Sequence, residues 1–131
     1  MIYFEEPCLT LSWEPDGNIV CAQWKDAVSG EPMRRGLERG LELVSLKSSA
    51  RWLVDSRRLG NIDPLDVKWV NDHWMPRAVM AGLSWMAFVM AKKVVMQLTM
   101  KSFMARINER DLTTSYFDNV DEARAWLRAQ S

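Results

Sequence analysis

A chain of 131 residues, 48% apolar and 26% charged, is long enough for one domain with a self-sufficient core and needs no disulfide or metal to hold it together. The same usage excludes a disordered chain. Seventeen Lys and Arg against seventeen Asp and Glu leave no net charge, so nothing draws the molecule as a whole to nucleic acid or to an anionic membrane surface.

Seven Trp and nine Met are many for this length. Both types fill cores, and both are enriched where a surface meets a partner. The N-terminal MIYFEEPCLTL has no basic stretch followed by an apolar run, so it does not read as a signal peptide. The longest apolar candidate, Leu83 to Ala91, is too short to span a bilayer. A cytoplasmic protein that is not embedded in a membrane is expected.

The first strong element is a hairpin. Leu9, Leu11 and Trp13 alternate with Cys8, Thr10 and Ser12, and Val20, Ala22 and Trp24 alternate with Ile19, Cys21 and Gln23. An Asp16-Gly17 turn between them predicts the pairs Trp13 with Val20, Leu11 with Ala22 and Leu9 with Trp24, which gathers the apolar residues on one face. Cys8 then falls opposite Lys25 and Cys21 opposite Ser12, too far apart for a comfortable bridge, so two reduced thiols are expected.

A helix follows, with Ser29 as its expected cap, Pro32 in its first turn, and Met33, Leu37, Leu41 and Val44 as its apolar stripe. Gly36 and Gly40 each cost about 1 kcal/mol inside a helix. Close approach to a sheet is the expected reason. Trp52 to Val54, between Arg51 and Asp55, reads as a buried strand. Asp63 then caps a second helix, with Pro64 at its first position and Asp66 at its third. Val67, Val70 and Trp74 are expected to face the core, and Trp69 and His73 a different side. Pro76 is expected to break or kink this helix near Met75, starting a second piece through Val79, with Gly82 at the stop.

Leu83 to Met90, apolar except for Ser84, reads as a strand buried on both faces, which calls for helices on both sides of the sheet. Met96, Met100, Phe103 and Ile107 predict a third helix. Thr113 to Phe117 predicts a last strand, and Asn119 to Glu122 a capping box for a final helix that docks Ala123, Trp126 and Leu127. The expected fold is therefore α/β: one domain over residues 1–131, with a mixed five-stranded sheet flanked by about four helices.

Four stretches carry a family resemblance: RWLVDSRRL at Arg51–Leu59, the helix end Trp74-Met-Pro76, the apolar strand after Gly82, and Phe117-x4-Glu122-Ala123-x2-Trp126-Leu127. With the element order, they make the chain resemble the STAS superfamily, the fold of the anti-anti-sigma-factor-like (SpoIIAA-like) proteins. In particular it resembles the small stand-alone bacterial STAS-like proteins also likened to lipid-binding SEC14 domains. The resemblance implies a regulatory or binding domain, not an enzyme, and no cofactor. It also implies a serine, phosphorylated by a partner kinase, at the start of the helix that follows the Asp-ending strand. Asp55 and Asp63 match the two aspartates of that pattern, but Pro64 stands where the serine would be and has no hydroxyl. Ser56 sits at the strand end and is not given that role.

The remaining candidates for chemistry are few. Asp55, Asp63 and Asp66 would suit a magnesium or acid–base cluster. Capping accounts for two of them, and Arg57 and Arg58 can neutralise the third. His73 is the only histidine, so any general base would fall to it. One His and two separated Cys make no zinc site, and Lys92 with Lys93 is too little charge for nucleic-acid binding. The leading expectation is a non-enzymatic module that binds a protein partner or a second copy of itself, through a surface made by Asp55, Arg57, Arg58, Trp69 and His73. The alternative is a carrier of a small apolar ligand or lipid in a Met- and Trp-lined cavity. A third, a hydrolase using Asp55 and His73, requires those side chains to share a cleft.

Overall fold

The computed structural model describes residues 1–26, 29–58, 63–90 and 112–130. The hairpin sets the register of the sheet. Strand β2 (Leu9–Glu14) and strand β3 (Ile19–Trp24) pair antiparallel as Leu9 with Trp24, Leu11 with Ala22 and Trp13 with Val20. Pairing runs on to Glu14 and Ile19, so the loop is Pro15 to Asn18 and not a bare two-residue turn. Gly17, at φ 88°, takes the left-handed position that a type II turn asks of its third residue. Asn18 is left-handed too, and its side chain locks the loop. Its Oδ1 accepts from Trp13 Nε1 at 2.7 Å and its Nδ2 donates to the Lys47 carbonyl at 3.1 Å. Ser12 faces Cys21 across the hairpin, and both cysteines are free.

The sheet has six strands, one more than the sequence pattern suggests. The addition is β1 (Ile2–Glu6), antiparallel to β2 at the edge, with an irregularity between Ile2 and Phe4. After the hairpin the order is sequential, and β4 (Arg51–Asp55), β5 (Trp85–Val89) and β6 (Thr113–Phe117) join β3 in parallel. Helix α1 (Glu31–Lys47) connects β3 to β4. A longer helical run connects β4 to β5: α2 (Pro64–Trp69), a π turn at Val70–Trp74, and α3 (Met75–Met80). Helix α4 (Val120–Arg128) follows β6. Three helical units therefore flank the sheet among the described residues. The expected helix through Met96, Met100, Phe103 and Ile107 lies outside them.

Strand alternation divides the core into two layers. Leu9, Leu11, Val20, Trp24 and Trp52 meet α1 and the α2–α3 run on one face. Ile19, Cys21, Leu53, Ala87 and Val89 meet Ala123 and Leu127 of α4 on the other. Helices on both sides are what the wholly apolar β5 requires. Arg51 pins α4 in place: Nε donates to the Leu127 carbonyl at 2.8 Å, Nη1 to the Gly17 carbonyl at 2.7 Å, and Nη2 to the Gln130 carbonyl. A guanidinium against the last carbonyls of a helix also opposes the negative end of its dipole. On the same layer, Glu14 accepts the Cys21 thiol at 3.0 Å and the Arg124 guanidinium at 2.9 Å. Burial, first, and the bond to Glu14, second, push that thiol well above its ordinary pKa.

One local expectation is corrected by a long-range contact. Ser29 does not cap α1. The cap is Gly30, at φ 66° and with no side-chain bond of its own. In its place the buried Asp66 carboxylate accepts the Gly30 N–H, at 3.1 and 3.2 Å to its two oxygens. Asp66 thus ties α2 to the start of α1 and does not complete the cap of its own helix. Asp63 does cap α2, accepting from the Leu65 N–H at 2.8 Å. As expected, a second α piece starts at Met75, beside Pro76. Ahead of it the ladder widens, with the Met75 N–H on the Val70 carbonyl, and the run continues to Met80. A π turn absorbs the missing proline N–H that a regular α ladder could not.

Candidate ligand pocket

The five residues expected to form one surface are not brought together. Alternation puts Asp55 on the Leu53 side of the sheet, toward α4. It is buried, 7% exposed, and holds Arg57 in a two-pronged pair with Nε at 2.9 Å and Nη2 at 2.8 Å. That bond raises the Arg57 pKa further above its ordinary value. Arg58 is exposed beside the pair. Trp69 and His73 lie on the helical run over the opposite face, rings 6.4 Å apart, with the Arg34 guanidinium 5.3 Å from the Trp69 ring. Asp55 and His73 therefore share no cleft, and the hydrolase expectation fails on that separation. The Asp55–Arg57 pair is read as a clasp at the end of β4. Arg57→Ala should cost about 1–3 kcal/mol by leaving a buried carboxylate without its donor. Asp55→Asn should cost less, because Arg57 is free to turn to water. Urea titrations of the two variants and the double check this, and additive losses would sink the clasp.

A different site stands between the sheet and the helices on one of its faces, and it reaches to the carboxyl ends of the strands. Here α1 and the α2–α3 run leave a pocket of about 120 Å³. Its floor is the last residue of β3, Trp24, with Trp52, Val54 and Ser56 along and just beyond β4, and Met86, Phe88 and Met90 along and just beyond β5. Met33 and Leu37 of α1 close one wall. Val67, Val70, Trp74 and Met75 close the other. The π turn places two of these, Val70 and Trp74, and Trp74 Nε1 donates to the Leu37 carbonyl at 2.8 Å, joining the walls.

Among the described residues, Ser56 is the one polar residue on the lining, and its hydroxyl donates to the Val89 carbonyl at 3.1 Å. None of the described side chains that line the space is ionisable. Among the described residues, no group of three His, Cys, Asp or Glu is placed to hold a metal ion. Such a lining can desolvate and hold an apolar group. It also accounts for the surplus of Trp and Met. Three Trp and four Met line it, and the other four Trp are half-buried.

Residues 19–128 match the SpoIIAA-like family. The chain belongs to that family. SpoIIAA-like proteins are regulatory modules of the anti-anti-sigma-factor type and in general not enzymes. Comparison with curated proteins and with solved structures returns no match. Pro64 stands at the first position of α2, beside the Asp63 cap. The pocket lies wholly inside the matched residues. No helix among the described residues is long and apolar enough to cross a membrane.

The sequence pattern sent Val67, Val70 and Trp74 to the core, Trp24 to the apolar face of the hairpin, Met33 to the stripe of the first helix, and Met86, Phe88 and Met90 to a strand buried on both faces, but it did not gather them into one pocket. The available signal was their count: a surplus of Trp and Met suggested an apolar cavity without saying which residues line it.

Proposed function

We propose that this chain is a non-enzymatic regulatory module that works by holding a small apolar ligand in the pocket between α1, the α2–α3 run and the ends of β3, β4 and β5. The observation that carries this is the lining: apolar at every position but Ser56, whose hydroxyl is already engaged. Apolar sites of this order favour benzene-sized guests. Occupancy would stiffen the contact between α1 and the α2–α3 run, which gives a regulatory domain a liganded and an unliganded state. Native mass spectrometry of freshly purified protein should show a persistent added mass. Val70→Phe, which fills the space from a half-buried helix position, should cut that occupancy about tenfold or more, by loss of the apolar contact area. Bare chain mass in every preparation, with no apolar probe bound on addition, would end this reading.

A second reading has the family match behind it: recognition of a protein partner, a second copy included. A single monomer peak by light scattering, together with no partner recovered in pull-downs, counts against it.

A further inference from the structure

We infer that the pocket selects one uncharged aromatic ring, of the size of benzene or toluene, over alkyl chains and saturated rings. This rests on the ligand reading above and narrows it to a chemical class. Size sets the first limit. A volume of about 120 Å³ is close to the roughly 150 Å³ of dry apolar cavities known to take benzene, and far short of a lipid tail. Charge sets the second, because none of the described side chains on the lining can meet an ionised group and burial would strip its water.

The lining itself sets the third. Trp24, Trp52, Trp74 and Phe88 present four aromatic rings, and the thioethers of Met33, Met75, Met86 and Met90 complete the wall. Trp52 and Trp74 already meet edge to face, centroids 5.1 Å apart at 68°, so the site offers a third ring both a face and an edge. An aromatic guest gains quadrupole contacts with rings and sulfur–ring contacts with Met, beyond the area it buries. A saturated ring of equal size gains the area alone.

The test uses protein carrying ¹³C-methyl methionine, titrated with toluene and, separately, with methylcyclohexane. Toluene should bind about tenfold tighter, the ratio expected from one or two such ring contacts. Its ring current should move the methyls of Met33, Met75, Met86 and Met90 and leave those of the exposed Met1 and Met80 in place. Val70→Phe should abolish the shifts, and Val67→Phe serves the same purpose if the first variant unfolds. Methylcyclohexane binding as tightly as toluene, with the same methyls responding, overturns the aromatic preference and leaves the apolar-ligand reading standing. Silence of the lining methyls with both probes overturns the two together.

Discussion

Replacing Trp74 with alanine is expected to lower the stability of the protein by about 3–5 kcal/mol, the range for emptying a buried aromatic site. Trp74 is 1% exposed, stands edge to face with Trp52, and donates Nε1–H to the Leu37 carbonyl at 2.8 Å. Truncation would remove the bond that joins α1 to the π turn and would open the pocket wall into the core. Domains of this size hold a margin of about 5–15 kcal/mol, so the variant would fold marginally at best. Trp74→Phe keeps a ring but loses the N–H and part of the volume, and should cost about 1–2 kcal/mol. Urea midpoints for the pair measure the difference. A loss below about 1 kcal/mol for the alanine variant would mean that Trp74 does not join the two helical units, because such values belong to positions that are not packed.

Much of this architecture could be read from local chemistry. Asp16-Gly17 has one comfortable way to turn a chain between two alternating runs, and strand parity then fixed Leu9, Leu11 and Trp13 on one face, as observed. Asn119, whose side chain accepts from the Asp121 and Glu122 N–H groups, marks the start of α4 by the same kind of local rule. The misses occur where a partner distant in sequence supplies what a local rule demands. Ser29 is a good cap, but Asp66 reaches over from α2 and serves Gly30 instead. Pro76 starts a new helical piece at Met75 as a local rule has it, but the π turn ahead of it was not in the pattern. Strand β1 has one neighbour and a half-exposed face, so its residues show no alternation strong enough to announce it.

The candidate site was less legible for a related reason. Asp55 and Arg57 are two residues apart, close enough in sequence for their pairing to be expected from charge alone. Parity also separates Val54 and Ser56 from Asp55. What it cannot say is which side of the sheet receives α1 and the α2–α3 run, and that decides whether the charged pair or the apolar row faces the pocket. Charged residues near a strand end draw attention because their chemistry is visible one residue at a time. A pocket assembled from three strands and two helical units has no such mark: each lining residue, taken singly, looks like core.

Gly40→Ala is expected to destabilise the protein by about 1–3 kcal/mol, against the gain of about 1 kcal/mol that the same change brings on an open helix face. A Cβ at Gly40 would stand 2.2 Å from Trp52 Cη2 and 2.8 Å from Cζ3. The indole is rigid, 1% exposed and held by Trp74, so either α1 lifts from the sheet or the ring pivots. Gly36 sets the contrast. Its added Cβ would meet Leu9 Cδ2 at 2.4 Å, but a terminal methyl turns aside by rotation, so Gly36→Ala should cost less than about 1 kcal/mol. The decisive measurement is a cycle with Trp52→Phe, which removes the offending ring atoms. Gly40→Ala should cost markedly less in that background, with a coupling of about 1–2 kcal/mol. A stabilising Gly40→Ala in the wild-type chain would show that helix and sheet are not in the close contact described. The same contact reaches function. Trp52 lines the pocket, so an indole pushed from behind by the added methyl moves into the space a guest would fill, and weaker probe binding in Gly40→Ala would trace the pocket's shape back to a glycine that never touches it.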